Sequence, residues 1–114
     1  MVEPKALYIL WTNDNKHTSQ LMVMKYATNS MINKLWKSVT VIIWGAPVKL
    51  AAEDELIQEQ MKEAQNAGVK FSACISCARQ FNVVEKLETL EIEIISWMEP
   101  FTNLIQNGET VIYV

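Results

Sequence analysis

Two near-continuous apolar runs, Lys5 to Trp11 (KALYILW) and Ser38 to Trp44 (SVTVIIW), constrain this chain more than anything else in it. A strand with one wet face alternates apolar and polar residues. A run without that alternation suits a strand buried on both faces, which is the situation in a parallel sheet covered by helices. The second run is also rich in β-branched residues, which pack well on a pleated surface. Between the two, Lys16 to Trp36 predicts a helix. Leu21, Met24, Met31 and Leu35 follow helical spacing with Thr28 in the gap, and Met22, Ile32 and Trp36 widen the apolar face.

The rest of the chain continues the alternation. Gly45-Ala46-Pro47 ends the second strand, Val48 to Leu50 reads as a connector, and Ala51 to Ala67 as the second helix. Leu56, Ile57, Met61 and Ala64 form its apolar face and Gly68 its stop. Glu53, Asp54 and Glu55 put negative charge in its first turn, where the helix dipole favours it; they read as a cap and a solvated face, not a metal site. Val69 to Ala73 is a third strand, followed by a helical turn and by Val84 to Leu90, short and helical or irregular. Glu91 to Trp97 (EIEIISW) is a fourth strand and Thr110 to Val114 (TVIYV) a fifth. The helix between them, Met98 to Asn107, carries Pro100 in its first turn and Phe101, Leu104 and Ile105 on one face.

The order β-α-β-α-β-α-β-α-β predicts an α/β fold, a five-stranded parallel sheet with helices on both faces, in one domain spanning residues 1–114. Right-handed crossovers bring the C-terminal ends of all strands to one edge, where the sites of open α/β sheets lie. Cys74, His17 and the segment Gly45 to Lys49 all follow strands and so belong to that edge. No glycine occurs in TNDNKHTS after strand one, which excludes a dinucleotide fingerprint and a P-loop.

Composition excludes further classes. The net charge is −3 and the basic residues are scattered, the tightest group being Lys34 and Lys37, so no nucleic-acid footprint is present. The apolar run at Ala6 to Trp11 is too short for a signal peptide, and no segment reaches the roughly 18 apolar residues that cross a bilayer. The expected location is the cytoplasm, without membrane contact. In that reducing compartment a cysteine pair points to chemistry or metal more than to a structural disulfide.

Both cysteines and the only arginine fall within GVKFSACISCARQFNV, Gly68 to Val83. A thiol where a strand runs into a helix, as at Cys74, meets free backbone N–H groups that favour thiolate, and Arg79 would act in the same sense. Cys77 lies one helical turn further on, where those N–H groups begin to be used, so Cys74 is expected to be the more reactive. His17 is a candidate proton partner. Against this stands the ordinary role of free cysteine as a small buried hydrophobe. Cys74-Ile75-Ser76-Cys77 also permits a dithiol redox role, although the motif follows the third strand and lacks the aromatic, Gly and Pro context of thioredoxins. As zinc ligands the cysteines with His17 fall short of the four that a closed site needs, so neither metal nor cofactor is expected. A purely structural role also fits, because Trp11, Trp36, Trp44 and Trp97 are good interface anchors.

The strand order and the phrase GVKFSACISCARQFNV together resemble the DsrE/DsrF-like family of small sulfur-relay proteins, which includes TusD-type sulfurtransferase subunits. Gly68-Val69 opens the strand and Cys74 closes it, and Asn82-Val83 stands where the family has Gly-Val. VTVIIWGAPVKL, LEIEIISW and GETVIYV are similar to its second, fourth and fifth strands, so the likeness spans residues 5–114. The resemblance implies a flavodoxin-like three-layer α/β/α fold, assembly as homotrimers or hexamers, and sulfane sulfur carried as a persulfide on the cysteine that Cys74 matches. Donor and acceptor proteins would then be its partners. Cys77 departs from the family pattern, which has a small residue there.

Overall fold

The computed structural model describes residues 3–114. Five strands, β1 (Ala6–Trp11), β2 (Ser38–Ile43), β3 (Lys70–Cys74), β4 (Glu93–Ile95) and β5 (Thr110–Tyr113), form one sheet in the order β4-β3-β2-β1-β5. Every pairing is parallel. The register sets Leu7 beside Val39, Ile9 beside Val41, and Val41 beside Phe71, so apolar rows run across the sheet. The unalternated runs thus become β1 and β2, two of the three interior strands, with helices on both faces of the sheet as expected.

The faces are unequally covered, and the strand order explains why. From β1 to β4 each crossover steps the same way across the sheet, and crossovers of one hand then lay their helices on one face. Only the return from β4 to β5, beside β1, runs the other way. Helices α2 (Lys25–Ile32), α3 (Ala46–Glu53), α4 (Glu55–Asn66), α5 (Ile75–Gln80) and α6 (Val84–Thr89) therefore share the large core. That core holds Leu7, Ile9, Trp11, Val41, Ile43 and Phe71 from the sheet. The opposite face has α7 (Met98–Gln106) alone, over a small cluster of Leu10, Ile42 and Trp97.

The first helix differs most from its sequence reading. It starts as α1 (Lys16–Thr18), widens into a π-helical segment (Ser19–Met24), resumes as α2 and stops at Ile32, short of the expected Trp36. The buried residues are Ser19, Val23, Met24, Ala27 and Ser30, whereas Leu21, Ile32 and Leu35 are about 60 % exposed (63, 61 and 58 %). A π turn holds an extra residue, so a face counted at 3.6 residues per turn falls out of phase across it. Asn15 caps α1, its side-chain oxygen accepting from the Thr18 N–H at 2.9 Å. Ser19 is buried because it has partners: its Oγ donates to the Asn15 carbonyl and accepts from the Trp11 indole N–H at 3.1 Å.

The second helix is two. Pro47 sits in the first turn of α3, where its missing N–H costs nothing, so Gly45-Ala46-Pro47 and the expected connector Val48 to Leu50 open a helix rather than bridge to one. Asp54, in extended conformation (φ −98°, ψ 114°), breaks the run and restarts it as α4 by accepting the Ile57 N–H at 3.0 Å. That bond, and Lys16 at 2.9 Å, hold the Asp54 carboxyl below its ordinary pKa. The remaining differences are at ends: β3 includes Cys74, and β4 keeps only Glu93 to Ile95 of the expected Glu91 to Trp97. No helix of the described residues is long and apolar enough to cross a membrane.

Candidate functional site: a thiol pair at the sheet edge

Cys74 is the last residue of β3 and the residue from which α5 starts, with extended backbone (φ −70°, ψ 122°). It is only 5 % exposed. By the two-residue alternation of the strand its side chain shares a face with Ser72. Cys77 follows in the first turn of α5, partly buried against the large core. The cap and the third helical position of a first turn face each other, as in a capping box, and this brings the two sulfurs together. Both thiols are free.

The Gly45 N–H, from the turn after β2, donates to Cys77 Sγ at 3.3 Å. It can do so because Gly45 adopts φ 83°, ψ −138°, a conformation left to glycine; space is not the reason, since a Cβ there would meet nothing within 4 Å. Burial, the largest influence, pushes the Cys77 thiol up; the Gly45 N–H pulls it down, and the Cys74 sulfur, as hydrogen-bond partner and as charge, pushes it up again. The net effect raises the Cys77 thiol above its ordinary pKa. The backbone bond expected for Cys74 thus goes to its neighbour, and Cys74 makes no capping bond. Nor is α5, six residues long, an extended dipole.

Arg79 lies in the last turn of α5 and is exposed; His17, second in α1, is exposed too. Among the described residues neither side chain makes a hydrogen bond or an ion pair, and Arg79 is not among the groups that act on Cys77. Of the residues singled out from the sequence, the fold brings together Cys74, Cys77 and the backbone of Gly45. The contribution of Gly45 rests on a backbone atom, so its only sequence signal is a glycine two residues past the end of β2.

Beneath Cys74 a polar chain ties β3 to β4. Trp97 Nε1 donates to Ser72 Oγ at 2.8 Å, and Ser72 Oγ donates to Glu93 Oε1 at 2.8 Å. Lys70 stands 3.1 Å from the other Glu93 oxygen. Ser72 first and Lys70 next hold the Glu93 carboxyl below its ordinary pKa, against its partial burial. No three His, Cys, Asp or Glu side chains of the described residues converge to hold a metal ion. A groove of about 590 Å³ lies elsewhere, between α4 and the α6–β4 turn, lined by such residues as Glu55, Lys62 and Glu91.

The sequence pattern of the DsrE/DsrF-like family matches residues 5–114. The chain belongs to this family. Its members are broadly related to sulfur relay and are often oligomeric. Among solved structures, this DsrE/DsrF-like chain is similar to BT1422, a conserved protein of unknown function from Bacteroides thetaiotaomicron. The two are 37 % identical with a TM-score of 0.93, over 96 % of this chain and 94 % of that one. MTH1491 of Methanobacterium thermoautotrophicum, also of unknown function, has a TM-score of 0.67 at 16 % identity, over 98 % and 100 % of the chains. The ychN protein of E. coli has a TM-score of 0.73 at 10 % identity, again over 98 % and 100 %. These last two show the shared fold. No curated protein matches the chain.

Proposed function

We propose that this protein is a sulfur-relay protein that carries sulfane sulfur as a persulfide on Cys74. The observation that carries the reading is the thiol pair at the C-terminal edge of the sheet, with Cys77 beside Cys74 in the first turn of α5 and the Gly45 N–H donating to its sulfur. In the loading step the Cys74 thiolate attacks the outer sulfur of a donor persulfide, forming the Cys74 Sγ–S bond and releasing the donor thiolate. Delivery is the reverse reaction with an acceptor thiolate. When Cys74 leaves as thiolate, the Cys77 S–H is placed to donate to it. No cofactor takes part, and loading and delivery leave the oxidation state of the Cys74–Cys77 pair unchanged in a reducing cytoplasm.

Alkylation rate against pH tests the assignment. Wild type should show one fast thiol at pH 7, lost in Cys74→Ser and kept in Cys77→Ser. The opposite pattern reverses the assignment. If neither thiol outpaces a free peptide cysteine, the carrier reading fails.

A second reading, a structural subunit of a homo-oligomer, is favoured by the burial of Cys74 and by the exposed Met98, Ile105 and Tyr113 on and beside α7. The two readings are compatible if a trimer or hexamer covers that face while the sheet edge stays open to sulfur donor and acceptor proteins.

A further inference from the structure

We propose that Cys77 is a resolving thiol: it attacks the Cys74 persulfide, releases its sulfur as hydrosulfide and closes a Cys74–Cys77 disulfide. This rests on the persulfide reading of Cys74 and assigns the fate of sulfur that no acceptor collects. A relay cysteine needs no second thiol, because loading and delivery both occur at the outer sulfur. Here a second thiol stands in the first turn above the first, and the Gly45 N–H is aimed at its sulfur from another loop. That N–H does nothing for Cys74 itself. It would stabilise negative charge on Cys77 Sγ, which is needed only if Cys77 becomes a nucleophile or a leaving group.

The step balances without an outside oxidant. Cys77 Sγ, losing its proton as it attacks, bonds to Cys74 Sγ; the Cys74 Sγ–S bond breaks, and the outer sulfur leaves with the bonding pair as HS⁻, which takes up the proton of Cys77 according to pH. The sulfane sulfur is reduced to sulfide and the two cysteine sulfurs become a disulfide. A dithiol reductant then restores both thiols, so turnover consumes that reductant and the empty carrier reports its supply. The partial burial of Cys77 against the large core, with Cys74 buried beside it, favours this internal attack over attack by bulk thiols.

The test loads the full chain with inorganic polysulfide, removes the excess under nitrogen, and follows sulfide release and intact mass after alkylation. Wild type should release sulfide equivalent to the sulfur loaded and become the alkylation-resistant disulfide. Cys77→Ser should hold its mass one sulfur heavier, with release slower by on the order of tenfold or more. Circular dichroism checks that the variant is folded, and wild type alone suffices if it is not, because release without disulfide in wild type overturns the proposal. Equal retention by wild type and Cys77→Ser overturns it too, while leaving the carrier reading intact. If Cys77→Ser gains no sulfur and wild type neither gains sulfur nor forms the disulfide, the carrier reading itself falls and takes the resolving role with it.

Discussion

One face of the sheet is a core and the other is a veneer. On the first, Leu7, Ile9, Trp11, Val41, Ile43 and Phe71 meet a layer of helices and lose almost all contact with water. On the second, α7 has no buried residue, and Tyr8, Trp44, Phe101 and Val111 remain partly open around Leu10, Ile42 and Trp97. Trp44 and Phe101 meet edge to face, with ring centres 5.5 Å apart. The difference follows from strand order alone, because only one crossover returns across the sheet. It teaches that the fold's stability is concentrated on one side. The other side is free to serve contacts, and the thiol pair sits at the rim between them: Cys77 packs on the core, and Cys74 shares the strand face of Ser72.

The comparison breaks first if truncations on the two faces cost the same. Phe71→Ala, at 2 % exposure in the large core, should cost about 3–5 kcal/mol in urea unfolding at fixed protein concentration. An equal loss in Leu104→Ala would contradict the account.

Ser72→Ala comes next, because it strands a buried indole N–H on the thin face. The expected loss is about 1–3 kcal/mol near pH 7. Part of it should depend on pH. Ser72 holds the folded Glu93 below its unfolded pKa, so this contribution is present above the ordinary glutamate range and fades as pH falls through the lower folded value. The gap between wild type and Ser72→Ala should therefore narrow below about pH 4. A gap that widens on acidification would show that Glu93 is not stabilised in its charged form.

Leu104→Ala itself, on the veneer, should cost only about 1–2 kcal/mol, since part of its side chain already faces water.

The strands were legible because their signal is local: β-branched and apolar runs mark β1 and β2, and the alternation of elements gives the parallel sheet. What the sequence concealed was phase and backbone. Leu21, Ile32 and Leu35 fit an apolar stripe, but the π segment at Ser19 to Met24 shifts the phase to bury Val23 and Ala27, and Leu35 falls past the helix end at Ile32. Asp54 reads as one acid in a charged first turn, yet it is the break between two helices. Of the site, the cysteine spacing and the sheet edge could be read, because topology carries the ends of parallel strands to one side. Where Arg79 and His17 point depends on helix phase, and the Gly45 N–H has no side chain to announce it.

Whether Cys74 holds the sulfur is decided by intact mass after incubation with a persulfide donor. Cys77→Ser should become one sulfur heavier, should return to its starting mass with excess thiol, and Cys74→Ser should gain no thiol-labile sulfur. Loading of Cys74→Ser to the same extent, or none in Cys77→Ser, would contradict it.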